Sequence, residues 1–323
     1  MARISLNERI KQGLFLLDGA MGTQLIARGI EAGTCSDYLN IESPDIISDI
    51  HRSYLEAGSD AILTNTFGAN KYALGRYGFA GEAARINTAG ARIARRAAGE
   101  ENYVLGDIGP SGDFLQPLGG IKPKELKEAF AAQARALLTG GVDGFIIETM
   151  TALDEATIAV EAIKSVCGKL PVFASMAFDK VASGFRTMMG VDIKLAVAKM
   201  VSLGVDAVGF NCGTVTLNEY VELAEKYVSA INVLKKSQAT SHEPRVTILA
   251  EPNAGKPELV EGQAVYKVSP GDFAAAAEKI HSAGVSIIGG CCGTGPEHIA
   301  AVSKKLQGNK IRISKSETRN KFK

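Results

Sequence analysis

The chain has 323 residues, 46% of them apolar and 35 of them glycine, enough to bury a large core while making many tight turns. Its 36 Lys/Arg and 35 Asp/Glu leave a formal net charge of +1 with no basic face, which argues against nucleic acid or an acidic membrane surface as partner. No apolar run approaches the ~20 residues of a membrane helix, Leu14–Leu17 is too short for a signal peptide, and 5 cysteines without disulfide spacing point to a reducing cytoplasm.

A short polar helix leads into an apolar strand, Leu14–Leu17, which ends at Asp18-Gly19-Ala20-Met21-Gly22-Thr23. A loop around Cys35 and a helix from Pro44 to about Ala57 follow. From there one unit recurs: a helix stopped by glycine, a polar turn, and a buried strand. The distance from glycine to strand end stays constant: Gly58 to Asn65, Gly141 to Glu148, Gly204 to Asn211, Gly284 to Cys291. Between these strands lie four more apolar runs, Leu14–Leu17, Tyr103–Gly106, Val172–Met176 and Val246–Ala250. Each of the eight precedes a helix-period stretch, such as Lys124–Leu138, Leu153–Val166 or Pro270–Ala283. Eight strands alternating with eight helices predict an α/β fold, a (β/α)8 TIM barrel forming a single domain over residues 1–307. Residues 308–323, with six Lys/Arg against one Glu, read as a polar basic tail that stays disordered.

In such a barrel functional groups gather at the C-terminal ends of the strands. Those ends carry Asp18, Asn65, Asp107, Glu148, Met176, Asn211 with Cys212, Glu251, and Cys291 with Cys292. Gly289 to Gly295, reading Gly-Gly-Cys-Cys-Gly-Thr-Gly, sets a vicinal thiol pair between an apolar run and a helix starting at Pro296. Phe210-Asn211-Cys212-Gly213 closes another run in the same manner. Inert burial or a redox role is the ordinary alternative for a cysteine. Three thiols at two strand ends, however, suit a metal with one position left open, as in catalytic zinc. Cys212, Cys291 and Cys292 are therefore the candidate ligands. Cys35 and Cys167 lie away from strand ends and read as structural, and His51, His242, His281 and His298 receive no ligand role.

Zinc on three thiolates is electron-rich and activates water poorly, yet it deprotonates an incoming thiol while leaving the sulfur nucleophilic. That favours alkyl transfer to sulfur over hydrolysis. Glu148 ends a wholly apolar strand, where an unpaired carboxylate is costly, so a substrate ammonium or a basic side chain should face it. Asp18 is a turn former or a second partner for the same cation. After it, the turn through Gly19, Ala20, Met21 and Gly22 offers N–H groups to a small carboxylate. Asn65 and Asn211 are polar candidates on the same rim. Asp107, Glu251 and Asn253 fit structural roles equally well. Amine, carboxylate and thiol handles together describe an amino-acid thiol as ligand.

Six motifs then stand in order: Asp18-Gly-Ala-Met-Gly-Thr23, Thr64-Asn-Thr-Phe67, Ile147-Glu148-Thr149, Asn211-Cys212-Gly213, Pro252-Asn-Ala-Gly255 and Gly289-Gly-Cys-Cys-Gly-Thr294. Together they resemble the zinc-dependent homocysteine S-methyltransferase family, from about residue 8 to residue 306. The resemblance implies zinc on Cys212, Cys291 and Cys292, homocysteine gripped by Asp18–Gly22 and Glu148, and methionine as product. Within the family the chain is most similar to the homocysteine-binding module of cobalamin-dependent methionine synthase. Gly68 and Thr149 stand where the betaine-using branch has tyrosines, and Gly293 where the S-methylmethionine-using branch has arginine. That similarity implies methylcobalamin or another methyl-corrinoid on a partner protein acting in trans, or a chain that is one piece of a longer synthase. The alternatives are a small sulfonium or ammonium donor such as S-methylmethionine, another thiol acceptor, or a non-catalytic thiol- or zinc-binding subunit.

Overall fold

The computed structural model describes residues 3–237, 246–260 and 263–308. Eight strands form one parallel sheet: β1 (Phe15–Leu16), β2 (Ala61–Leu63), β3 (Tyr103–Ile108), β4 (Gly144–Met150), β5 (Val172–Met176), β6 (Ala207–Asn211), β7 (Thr247–Glu251) and β8 (Ile287–Ile288). Their order around the sheet is β1-β8-β7-β6-β5-β4-β3-β2, so each strand lies beside its neighbour in sequence and β8 returns to β1. Each is followed by its helix: α1 (Pro44–Glu56), α2 (Ala83–Ala98), α3 (Pro123–Gly140), α4 (Leu153–Val166), α5 (Ile193–Ser202), α6 (Leu217–Ser237), α7 (Pro270–Ser282) and α8 (Pro296–Gln307). This is the (β/α)8 barrel that the repeat predicted.

The cylinder is fastened unevenly. No ladder pair joins β1 to β2 among the described residues; Asp60 bridges them instead. Its N–H donates to Leu16 O at 2.7 Å, and its Oδ2 accepts the Leu16 N–H at 2.9 Å and Arg9 Nη2 at 3.1 Å.

Side-chain alternation along the strands sorts the core into two layers. Phe15, Leu17, Ala61, Tyr103, Leu105, Ile146, Phe173, Ala207, Leu249 and Ile287 form one cluster inside the barrel, with every strand contributing. Leu6 and Ile10 join it from below. Leu6 opens and Ile10 caps a one-turn helix, Leu6–Arg9, held by a capping box between Ser5 and Glu8. The opposite strand faces pack against the helices; Phe145, Ile147 and Val208 meet apolar stripes such as Leu126, Phe130 and Leu137 of α3. Each fully buried Leu, Ile or Phe there contributes on the order of 1.5–3 kcal/mol relative to exposure.

The four repeat glycines, Gly58, Gly141, Gly204 and Gly284, all have positive φ, between 68° and 116°. They turn the chain from helix to strand in a conformation that costs other residues. Strand ends depart from expectation in two places. β8 stops at Ile288, three residues before Cys291, although the Gly289 N–H still donates to Ala250 O at 3.0 Å and the Gly290 N–H to Asp18 O at 2.9 Å. β4 runs on to Met150 through a register shift after Ile147. Two antiparallel ribbons that no sequence pattern announced rise from the loops after β5 (Asp179–Val181 with Gly184–Arg186) and β7 (Glu258–Val260 with Gln263–Val265). Among the described residues no helix is long and apolar enough to cross a membrane. The expected tail lies outside the described residues beyond Gly308.

Candidate metal and substrate site

Two residues above the apolar barrel layer, the same alternation brings Asp107 of β3, Glu148 of β4, Ser175 of β5 and Glu251 of β7 to the upper end of the barrel. Asp18 leaves β1 beside them and accepts the Leu63 N–H at 3.0 Å. Asp18, Asp107 and Glu251 are buried, while Glu148 is half-buried at the mouth. Burial drives the carboxyls of Asp18, Asp107 and Glu251 well above the usual range, and facing charges add to it, with Glu148 acting on all three. Glu148 is pushed up to about 8, by burial first and then by Cys212. None of the ion pairs among the described residues involves any of the four, and Asp107 Oδ1 and Glu251 Oε2 lack hydrogen-bond partners. A protein cation opposite Glu148 is one sequence-based alternative, and among the described residues none forms an ion pair with it.

Beside this acidic floor, Cys212, Cys291 and Cys292 bring their sulfurs within 4.8 Å of one another. The loop leaving β7 clamps both thiol-bearing turns. Glu251 O accepts the Cys212 N–H at 3.3 Å, Pro252 O accepts the Cys291 N–H at 2.8 Å, and Cys292 O accepts the Ala254 N–H at 2.9 Å. Cys212 itself is left-handed (φ 53°), a strain that its surroundings hold in place. Tyr220 Oη donates to Cys212 O at 2.7 Å and accepts the Asn253 N–H at 3.1 Å, and Asn253 Nδ2 donates to Gly213 O at 2.8 Å. Asn253, which fitted structure or function equally in the sequence, is a brace for the Cys212 turn.

Asn211 is the hub between floor and thiols. Its Oδ1 accepts from the Thr149 N–H at 2.8 Å and Ser175 Oγ at 2.7 Å, and its Nδ2 donates to Thr149 Oγ1 at 2.6 Å and Cys291 Sγ at 3.7 Å. The clustered thiols shift one another unequally: Cys212 and Cys291 lower Cys292, whereas Cys212 and Cys292 raise Cys291.

The Asp18 turn is laced to the cysteine turn. Gly290 N–H donates to Asp18 O at 2.9 Å, Gly293 N–H to Thr23 Oγ1 at 3.0 Å, and Tyr54 Oη to Ala20 O at 3.0 Å. A Cβ on Gly19 would meet Thr294 Oγ1 at 2.8 Å, so this close approach needs glycine. A helix starts at Met21, and Ala20 at its N-cap supplies no side-chain acceptor, which leaves the N–H groups around Met21 and Gly22 for an external one. Asn65 is placed otherwise: its Nδ2 donates to Ser36 O at 2.8 Å and Asn40 Oδ1 at 3.3 Å, tying down the loop after Cys35.

Cys35 is buried in a satellite cluster with Ala69, Leu74 and Ile86, and Cys167 caps α4. His51 is buried and kept neutral, its pKa lowered to about 3 by burial. His281 and His298 bond backbone carbonyls, and His242 lies outside the described residues. Sequence reading quoted Thr149 within a motif without giving it this role, and it missed Ser175, Tyr220 and Tyr266, whose ring packs against Gly293. Of the missed three only Ser175 carried a signal, the two-residue step from Phe173. A cleft of about 850 Å³ between α6 and α7 lies on the outer helical ring, lined by groups such as Val228, Asn232 and Ser282, with no thiol in its lining.

The thiols fit zinc. A tetrahedral ion with Zn–S bonds of ~2.3 Å needs sulfurs ~3.8 Å apart, within the observed cluster, and soft donors select such an ion over magnesium or calcium. Three sulfurs that can share one ion, beside an acidic floor, form the candidate metal centre of this barrel. The family model described as homocysteine S-methyltransferase matches residues 15–306, and the chain belongs to that family of methyltransferases. It is 35% identical over 313 residues to methionine synthase of Mycobacterium tuberculosis, covering 91% of this chain and 25% of that one. With methionine synthase of Mycobacterium leprae it shares 34% over 317 residues, 92% of this chain and 24% of that one. The chain thus spans about a quarter of these relatives' length. Its fold matches the metallated form of the homocysteine methyltransferase MmuM from Escherichia coli with a TM-score of 0.73 at 21% identity, over 93% of this chain and 99% of that one. The oxidised form of MmuM matches at 0.71 and 22%, over 91% and 97%.

Proposed function

We propose that this chain methylates the thiol of homocysteine to give methionine at a zinc ion held by Cys212, Cys291 and Cys292. The convergence of those three sulfurs within 4.8 Å is the observation that carries the reading. Cys212, Cys291 and Cys292 would hold the ion as thiolates, and bound there it would acidify a substrate thiol while leaving the sulfur nucleophilic. Glu148, with Asp18 behind it, takes the substrate ammonium, and the N–H groups around Met21 and Gly22 take its carboxylate, the Ala20 N–H being bonded to Thr294. The pairing draws Glu148 down from about 8 to its charged form, releasing a proton. The carboxylates orient the substrate and do no acid–base work. The sulfur attacks the methyl carbon in line, and the donor's leaving group departs with the bonding pair.

For the donor, the first reading is a small methyl sulfonium or ammonium entering the open rim directly. It is supported by the extent of the fold likeness: the solved homocysteine methyltransferase is matched over 97–99% of its chain, so this one barrel has the fold that enzyme uses. A second reading, a methyl-corrinoid carried by a protein, is favoured by the likeness to methionine synthases and by apolar side chains around the site. Phe114, Leu118, Met188 and Leu259, 46–81% exposed, all stand on loops of this face. Free cysteines fit a cytoplasmic setting.

Methionine formation, assayed on protein of measured zinc content with S-methylmethionine and with a methylated corrinoid protein, tests this. Product with the first donor supports the small-donor reading; product with the second alone transfers the assignment to the corrinoid. If homocysteine raises Tm but neither donor yields product, the chain is a thiol-binding subunit. If another thiol outcompetes homocysteine, the acceptor is wrong.

A further inference from the structure

Among the described residues, Thr149 and Cys212 are the non-glycine residues with positive φ, 61° and 53°. One follows Glu148 and the other carries a thiol of the candidate metal centre. Such backbone persists only where its surroundings over-determine it. One loop reaches both places: residues 177–191, between β5 and α5, which carry the ribbon Asp179–Val181/Gly184–Arg186. β5 lies between β4 and β6 in the sheet, so its loop stands beside the ends of both. Two residues after Cys212, Thr214 donates twice to Asp179 Oδ1, from its N–H at 2.7 Å and its Oγ1 at 2.6 Å. Gly213 passes so close to the chain before Asp179 that a Cβ there would stand 2.2 Å from Phe178 O. Two residues after Thr149, Thr151 O accepts from Thr187 Oγ1 at 2.6 Å, and Thr187 is buried. Lys180 moors the same ribbon to α6, its Nζ 2.6 Å from Glu222 Oε2.

We propose that Asp179 and Thr187 are positioning residues, the loop after β5 acting as a clamp that fixes Cys212 as a ligand through Thr214 and Glu148 as the ammonium partner through Thr151. The assignment rests on the metal and substrate site proposed above. Cys212 and Gly213 are held from the β7 side by Glu251 O, Tyr220 and Asn253. Asp179 supplies the opposing fastening from the β5 side, and a carboxylate that accepts two hydrogen bonds anchors more firmly than a neutral oxygen does. Thr214 is exposed, so this bond fixes the turn where packing does not. Asn211 already ties Thr149 to the strand end at Cys212 within the barrel mouth. The ribbon loop ties the same two places together one step further out, so the spacing between thiol and ammonium positions is set twice.

The test uses the full chain, with zinc affinity read by competition with a chromophoric chelator and homocysteine affinity by titration of the zinc protein. Asp179→Ala should weaken zinc roughly 10-fold, the scale of changes in groups that orient metal ligands, and should shift the visible bands of the cobalt(II)-substituted protein. Asp179→Asn keeps an oxygen toward Thr214 and should recover most of that loss. Thr214→Val removes one of the two bonds at an exposed position, so it reports on the clamp even if Asp179→Ala folds poorly; its zinc affinity should fall between the two. Thr187→Val should leave zinc affinity unchanged and weaken homocysteine roughly 5-fold, the scale of one hydrogen bond, with Thr187→Ser restoring it. A lower Tm with zinc affinity and cobalt bands unchanged in Asp179→Ala and Thr214→Val overturns the assignment and makes the ribbon a structural prop. Wild-type homocysteine affinity in Thr187→Val overturns it as well. A wild type that takes up neither zinc nor cobalt instead sinks the metal-site reading on which the assignment stands.

Discussion

Asn211 and Thr149 hold each other in both directions. The Thr149 N–H donates to Asn211 Oδ1 at 2.8 Å, and Asn211 Nδ2 donates back to Thr149 Oγ1 at 2.6 Å. Thr149 is left-handed, with φ 61°, an arrangement a β-branched residue adopts only under constraint. The pair sets Glu148, one residue earlier, against the thiols, since Asn211 also reaches Cys291. Asn211→Asp keeps the shape but removes both amide donors and brings a charge toward the sulfurs. It should lower zinc affinity by roughly 10–100-fold, read by competition with a chromophoric chelator. An unchanged affinity would show that the pair matters to the fold alone.

Replacing any one of Cys212, Cys291 and Cys292 with serine should reduce bound zinc to well under one equivalent and abolish methionine formation. Cys35→Ser and Cys167→Ser should keep both. Stripping zinc from the wild type with a chelator should stop turnover, and adding it back should restore it. Elemental analysis beside the activity assay checks each point.

Glu148→Gln separates substrate binding from stability. The carboxyl of Glu148 is raised from 4.5 to about 8 in the fold, so the native state binds the extra proton between those values. The stability Glu148 allows is full below about pH 4.5 and is lost as pH rises through 8. Metal-free wild type and Glu148→Gln should therefore melt together near pH 5, and the variant should melt higher near pH 9. Homocysteine binding should weaken by at least ~10-fold, as when one partner of a buried charge pair is removed. Melting curves at the two pH values with a binding titration decide it; equal Tm at pH 9 would refute the buried-carboxylate account.

Tyr220→Phe deletes one hydroxyl that serves both the Cys212 carbonyl and the Asn253 N–H. Asn253 is buried, so its N–H is left without a partner, a loss of about 1–3 kcal/mol. Urea unfolding should show that loss together with weaker zinc retention, because the strained Cys212 turn loses its brace.

Much of this was legible in the sequence because it is periodic or dense in chemistry. The spacing from Gly58, Gly141, Gly204 and Gly284 to their strand ends reflects one helix-turn-strand geometry repeated, and it revealed the barrel. The thiols stood out since Cys291 and Cys292 are adjacent and flanked by glycine. What stayed hidden depends on distance in space. Asn65 looked equivalent to Asn211 by its place in the repeat, yet its amide turns to Ser36 and Asn40, a loop the repeat does not describe. Tyr266 follows a ribbon without a pattern, 26 residues before Cys292, so only packing on Gly293 reveals it. The buried state of Asp107 and Glu251 was implicit in strand alternation, one step above Leu105 and Leu249, but it becomes compelling only once the barrel interior is known.

The join between β1 and β2 gives the wall a preferred place to breathe. Where a run of amide bonds would exchange deuterium as one block, a seam held through Asp60 should let the amides of Leu16 and Ala61, which face it, exchange ahead of those in β4 and β5. Asp18 leads directly out of that seam and accepts the N–H of Leu63 across it. The substrate turn therefore inherits the compliance of the weakest stretch of wall, and occupying it with an amino-acid thiol should slow exchange there before it slows exchange anywhere else.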